Sequence, residues 1–268
     1  MFGAYTRLRL RAPQIAAVAE PGQFLALAVG DQTSSLVLRR ALALYHWDDA
    51  AVEVVVDAHG PGTRWLVEQP VGAAIDVVGP LGRPFPVPRQ DGPVLVVGGG
   101  YGAAALVSLV GRLRAAGRPT TAVLGASDAH RLICIPELEG LGAEVLVATD
   151  DGSAGTRGLV TDLLTGVAAP ALSDAVAVYA CGPMAMLAST SRAAQAAGVD
   201  CWCSVEESMA CGIGVCMTCV LPVVDTDGVT RMLRSCVAGP TFAGTAVRWA
   251  DVGTVPGDAL GAPGGGGR

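Results

Sequence analysis

Val94-Leu95-Val96-Val97-Gly98-Gly99-Gly100-Tyr101-Gly102 decides how the middle of this chain folds. Four apolar residues, three of them β-branched, make a short buried strand. Three consecutive glycines make a tight turn, and the Ala-rich run from Ala103 to Ala116 reads as a helix. The alternation continues downstream, with strands predicted over Thr120–Leu124, Glu144–Ala148 and Ala175–Ala180 and a helix over Met184–Ala197. Strands that alternate with helices predict a parallel sheet with helices on its faces. A glycine turn at the end of such a strand lets a cofactor phosphate approach the backbone and meet the helix N-terminus. The spacing is not G-x-G-x-x-G, so a tight turn without a ligand accounts for Gly99 and Gly100 as well. The uncharged stretch Pro93 to Gly111 approaches the length of a membrane span. The glycines at its centre predict strand, turn and helix instead, and no span is expected. Ala180-Cys181-Gly182-Pro183-Met184 repeats the strand-to-helix junction, with Pro183 placed to open the helix. Cys181 there reads as a site residue or as a small core thiol.

Toward the N-terminus the pattern is different. Short apolar runs over Tyr5–Leu10, Gln23–Val29, Ser35–Leu44, Ala51–Asp57 and Ala74–Val78 are separated by turns such as Pro21-Gly22 and Gly60-Pro61-Gly62. Five strands at this spacing predict a small antiparallel barrel or sandwich over residues 1–90. Pro84, Pro86 and Pro88 form a stiff connector at its end. Arg39 and Arg40, with the turn ending in Gly62 and Thr63, offer either an anion site or a solvated edge.

Toward the C-terminus the cysteines take over. The chain has eight, and six lie between Cys201 and Cys236. No secretory signal opens the sequence, so a cytoplasmic, metal-binding reading is expected rather than a disulfide framework. The pattern Cys211-x4-Cys216-x2-Cys219 matches the spacing of plant-type [2Fe–2S] ferredoxins, and Cys236 follows after sixteen residues. Gly212 and Gly214 allow the loop backbone to turn inward toward the sulfurs. Val220–Val224 and Val229–Ser235 read as a hairpin around a two-residue Asp227-Gly228 turn, which sets residue 219 opposite residue 236. That places Cys236 beside Cys219 as a fourth ligand. The competing readings are a zinc site, with Cys201 and Cys203 as a second pair, or inert buried thiols.

The whole has 268 residues, 51% hydrophobic and 16% charged, with a net charge of −6. This is enough apolar material for two compact domains. The absence of clustered Lys and Arg argues against nucleic acid as a partner. The expected organisation is a multi-domain α+β chain: a β-barrel over 1–90, an α/β parallel-sheet nucleotide domain over 91–200, and a small cluster-binding loop and hairpin over 201–250. A disordered Gly/Pro-rich tail is expected over 251–268.

Taken in order, these pieces resemble the electron-transfer subunit of the bacterial two-subunit dihydroorotate dehydrogenase, within the ferredoxin–NADP reductase superfamily. The most specific stretch is Glu206-Glu-Ser-Met-Ala-Cys-Gly-Ile-Gly-Val-Cys-Met-Thr-Cys219, followed by Ser235-Cys236 and Gly239-Pro-Thr-Phe242. Pro21-Gly-Gln-Phe24, Gly79-Pro-Leu-Gly82, Gly98–Gly102 and Cys181-Gly-Pro-Met184 support it. The resemblance implies FAD, a [2Fe–2S] cluster and NAD(H). It assigns Arg40, Gly62 and Thr63 to the flavin phosphates, Gly99 and Gly100 to the nicotinamide nucleotide, and Cys181 and Gly182 to the nicotinamide itself. It implies a catalytic FMN-containing partner in pyrimidine biosynthesis, a hetero-oligomer, and electron flow between that partner and NAD. Position 43 departs from the family's Arg-Pro-x-Ser, because Ala43 lacks the hydroxyl that hydrogen-bonds the flavin ring. Two other functions follow from the same residues: the module serving a hydrogenase- or sulfide-type oxidoreductase, or a redox-inactive nucleotide- and zinc-binding protein.

Overall fold

The computed structural model describes residues 3–31 and 33–263. The first strands are β1 (Thr6–Arg11), β2 (Phe24–Leu27), β3 (Arg40–Trp47), β4 (Ala51–Val56) and β5 (Val77–Leu81). They form an antiparallel sheet in the order β1-β4-β3-β2-β5. Its core is aliphatic, with Leu25, Leu27, Leu44, Val52, Val54, Val56 and Leu66 buried together. The third strand begins later than its apolar run suggests and ends later too, because His46 and Trp47 continue the pairing with β4 beyond an irregularity at Tyr45.

The remaining strands are β6 (Val94–Gly99), β7 (Thr120–Ala126), β8 (Glu144–Thr149), β9 (Thr156–Arg157), β10 (Ala177–Cys181), β11 (Cys201–Ser204), β12 (Val220–Val224), β13 (Thr230–Arg234) and β14 (Thr241–Ala243). Seven of them form a second sheet, ordered β14-β11-β10-β6-β7-β8-β9, parallel except at β14. After β6 the chain moves outward through β7, β8 and β9, then returns to place β10 on the other side of β6. The strand order therefore reverses between β6 and β10, and ligands bind at such a point, beyond the carboxyl ends of the strands. Helices Ala104–Ala115 and Met184–Ala196 follow these two strands. Helix Ala104–Ala115 buries Leu106, Leu109, Val110 and Leu113 in a core that also holds Tyr5, Tyr45 and Val55. The two sheets thus share one hydrophobic contact, which fixes the cleft between them.

The cysteine hairpin β12–β13 is an insertion between β11 and β14. Its register differs from the expected one. Val220 pairs with Arg234 and Val224 with Thr230, so residue 219 faces Ser235 rather than Cys236. The cause is the turn: Asp225 N–H bonds Val229 O at 3.0 Å, enclosing three residues, and Gly228 closes the loop at φ +78°. A three-residue loop with glycine in the left-handed region shifts the pairing by one from a two-residue turn.

The expected tail is also corrected. Residues 251–263 fold back on the hairpin: Leu260 N–H bonds Thr230 O at 2.8 Å, Ala259 is buried, and Arg248 pairs with Asp251 and Asp258. The ion pairs and the backbone bond hold a segment whose Gly and Pro content alone suggests disorder. Residues 264–268 lie outside the described residues. No described helix is long and apolar enough to cross a membrane.

Candidate functional site: three adjoining cavities and a cysteine loop

A cavity of about 500 Å³ lies at the strand reversal. Gly99, Gly100 and Tyr101 from the end of β6, Gly125 to Ser127 from β7, and Pro183 and Met186 beyond β10 line it. Its glycines are there for close approach. A Cβ on Gly99 would come within 2.6 Å of Met186 sulfur, and one on Gly182 within 3.0 Å of the Gly99 backbone. Gly182 also has φ +154° and Gly100 φ +54°. Asp57, Arg131, Asp150 and Glu206 bring charge to the rim. Arg131 is already engaged, 3.5 Å from Asp57 and beside Tyr5.

Two smaller cavities lie between the sheets. One, about 220 Å³, is bounded by Arg40, Ala41, Ala43, Gly60, Thr63, Gly102 and Cys181, and the other, about 110 Å³, by Phe24, Ala41, Ala43, Cys181, Ser204 and Met209. They share Ala41, Ala43, Tyr101, Gly102 and Cys181, so they form one cleft. Arg40 lies over the first turn of helix Pro61–Val67, where a Cβ on Gly62 would come within 2.5 Å of its guanidinium. The Thr63 hydroxyl closes that turn, accepting from Gly60 N–H and donating to Gly60 O, both at 3.1 Å. Arg39 points elsewhere, to the Asp76 carboxylate and to the Ala26 and Asp76 carbonyls, and ties β3 to the start of β5. Burial pushes the Cys181 thiol up to about 11, against the Ser204 hydroxyl that favours the thiolate. Burial likewise raises the Glu206 carboxyl, with His59 opposing.

The four sequence-selected cysteines come together in two pairs. Cys211 and Cys216 neighbour each other across the loop, and Cys219 and Cys236 do so at the base of the hairpin. Backbone donors reach the sulfurs: Ile213 N–H to Cys211 and Cys236 N–H to Cys219, each at 3.4 Å. Although register sets Ser235 opposite Cys219, the chain turns helical at Ser235, and this swings Cys236 back under Cys219. Gly212 and Gly214 sit at φ +71° and +85°, and Met217 at +60°. Arg234 donates to Gly214 O and ties the loop to β13. Burial works to raise the Cys211 thiol, but the N–H groups of Cys216, Ile213 and Val215 outweigh it and bring it down to about 6. The Thr218 hydroxyl and N–H lower Cys216, while burial and the Cys219 thiol push Cys236 up to about 12.

These features fit a binuclear cluster. Two thiol pairs suit two irons, and N–H donors stabilise thiolate sulfur. Among the described residues no three His, Cys, Asp or Glu side chains converge as a ligand set for a single metal ion. The other cysteines stand apart. Cys134 is buried in the first core, and Cys201 and Cys203 face each other at 3.7 Å in the second.

Several lining residues carry no signal of their own in the sequence. Tyr101 and Glu206 lie inside motifs whose reading rests on glycine and cysteine, and only the fold joins them in a hydrogen bond. Phe24 packs with Cys219 and Cys236 on one side and lines the cleft on the other.

Comparison with known proteins agrees with this geometry. Residues 206–248 match the iron–sulfur cluster binding domain of dihydroorotate dehydrogenase B. The dihydroorotate dehydrogenase B (NAD(+)) electron transfer subunit of Desulforamulus reducens is 34% identical, over 89% of this chain and 90% of its own length. The probable counterpart of Methanopyrus kandleri is 37% identical over 96% of this chain and 91% of its own. Among solved structures, one of an NADH-dependent reduced ferredoxin–NADP oxidoreductase, described for flavin-based electron bifurcation, superposes with a TM-score of 0.79 at 30% identity. It covers 93% of this chain and 87% of that one.

Proposed function

We propose a function from one premise: the chain belongs to the family of dihydroorotate dehydrogenase B electron transfer subunits. It is an NAD-linked oxidoreductase subunit that passes electrons between a catalytic dihydroorotate dehydrogenase partner and NAD, using FAD and a [2Fe–2S] cluster. The observation that carries this reading is continuity: the cavity at the strand reversal, the inter-sheet cleft and the paired cysteines adjoin in that order.

FAD, held by Arg40, Gly62 and Thr63, would supply two-electron exchange with the nicotinamide and one-electron exchange with the cluster. The protein's part is binding and orientation. Residues 1–90 form the flavin-binding barrel, with Arg40 set over Gly62 to meet the pyrophosphate and Thr63 holding the turn beneath it. Residues 91–200 form the nicotinamide unit. Gly99 and Gly100 leave room for the nucleotide backbone, and Gly182 lets the ring approach Cys181. At about 11, the Cys181 thiol stays neutral at physiological pH and adds no charge beside the ring. Residues 201–250 carry the cluster on Cys211, Cys216, Cys219 and Cys236, and Phe24 forms the wall between the last two and the cleft. Eight cysteines, none paired in a disulfide, suit a reducing cytoplasmic compartment.

Anaerobic purification tests the reading. The protein is expected to show flavin absorption with cluster bands, to contain about two irons per chain, and to co-purify with an FMN-containing dihydroorotate dehydrogenase. A preparation that stays colourless and iron-free after cluster reconstitution refutes it. Co-purification with an unrelated oxidoreductase would keep the cofactors and reassign the partner.

A further inference from the structure

Among the described residues, Tyr101 alone borders all three cavities. Its hydroxyl donates to Glu206, which reaches in from the segment between β11 and Cys211. Its ring rests against Tyr5, with centroids 6.2 Å apart and planes tilted by 56°. The side chain therefore stands where the large cavity opens into the inter-sheet cleft, held by a hydrogen bond at its tip. Gly100, at φ +54°, and Gly102 flank it, and Tyr101 is 37% exposed.

We propose that Tyr101, latched to Glu206, is a gate that closes the nicotinamide cavity off from the flavin cleft and must swing aside for the nicotinamide ring to enter. This rests on the assignment of the two spaces made above. A dinucleotide binding from the side of Gly99 and Gly125 meets this ring where the large cavity opens into the cleft. The apparent affinity is then reduced by the fraction of molecules in which the gate is open. A hydrogen bond to a charged acceptor favours the closed state strongly enough for that fraction to be small. Tyr101 and Glu206 are thus positioning residues, which set how readily the nucleotide engages.

The test uses the holoprotein and NAD+ as the probe, with the dissociation constant measured by calorimetry and KM and kcat measured beside it. Tyr101→Phe keeps the ring and removes the latch. It is expected to tighten NAD+ binding about tenfold and to lower KM with a smaller change in kcat. Tyr101→Ala, which removes the ring, is expected to tighten binding at least as much. Glu206→Gln, which leaves an uncharged acceptor, should give a smaller gain in the same direction. Unchanged or weaker binding by Tyr101→Phe overturns the gate. So does Tyr101→Ala weakening binding while Tyr101→Phe does not, since the ring would then be a platform for the nicotinamide. A wild-type holoprotein that binds no NAD+ overturns the functional reading and the gate together, whereas binding by the wild type with an unresponsive Tyr101→Phe overturns the gate alone.

Discussion

Replacing Gly214 by alanine isolates what the cysteine loop requires of its backbone. Gly214 sits at φ +85°, and an added Cβ would come within 2.5 Å of Val237 Cγ2. Two costs follow. Holding a non-glycine residue in the left-handed region costs roughly 1–2 kcal/mol. Relieving the collision costs about 1–3 kcal/mol more, because Val237 lies in the short helix Ser235–Ala238, where a β-branched side chain has one favoured rotamer. The loop conformation is thus destabilised by about 2–5 kcal/mol, against about 1.4 kcal/mol for each factor of ten in an equilibrium. Gly228→Ala is the control: its φ is +78° but nothing lies within 4 Å of the added Cβ, so it bears only the backbone cost, and bears it at the far end of the hairpin. Loss of iron to a chelator, followed by the decay of cluster absorption, is the assay. Gly214→Ala should lose iron at least tenfold faster than Gly228→Ala, and adding Val237→Ala should restore part of the difference. Equal rates for the two glycine variants, or no recovery with Val237→Ala, would show that the loop does not hold the cluster through this backbone.

If Arg40 meets the flavin pyrophosphate as proposed, Arg40→Ala should lower flavin content and weaken FAD binding about tenfold or more, and flavin release on dialysis measures it. In cluster-free protein, alkylation at pH 8 followed by mass spectrometry should label Cys216 and Cys211 first, because their thiols titrate below the ordinary range, and Cys181 and Cys203 last, because burial and neighbouring sulfur hold them protonated. Early labelling of Cys181 would contradict its place in the wall of the cleft. Leu187→Ala empties a fully buried position beneath β10 and β11 and should cost about 3 kcal/mol, seen as a fall of roughly 6–12 °C in Tm.

The cysteine constellation was legible because its spacing is dense and local, and the fold brings its four thiols together as two neighbouring pairs. The alternation of strands and helices was legible for a similar reason, since buried parallel strands leave uninterrupted apolar runs such as Val94–Val97. Turn geometry was less so. Asp227-Gly228 is compatible with a two-residue turn or with the end of a three-residue loop, and only the bond from Asp225 to Val229 separates them. The error moved the register by one residue without moving Cys236 away from Cys219, because the helical turn at Ser235 compensates. The packing of residues 251–263 was hidden for another reason. It depends on Arg248, which composition counts as one more charge, meeting Asp251 and Asp258 at once. Tyr101 and Glu206 lie 105 positions apart, and nothing local in either motif announces the pair.

One short segment does more to unite the sites than any motif read separately. Between β11 and the first cysteine ligand the chain crosses the mouth of the cleft: Glu206 lines the large cavity, Met209 the smaller one, and Cys211 begins the loop. Five residue steps separate Glu206 from Cys211, and a fully extended chain covers at most about 18 Å in that length. The Cα atoms of Glu206 and Cys211 therefore stay within that distance whatever the two sheets do. Phe24 adds a second constraint from the other sheet, since it pairs with Ala43 in β3 and packs on Cys219 and Cys236. The hydroxyl missing at Ala43 thus lies directly opposite the residue that backs the cluster. With the flavin placed as proposed, Ala43→Ser should therefore shift the reduction potentials of both groups, where the same change at an isolated flavin site would shift one.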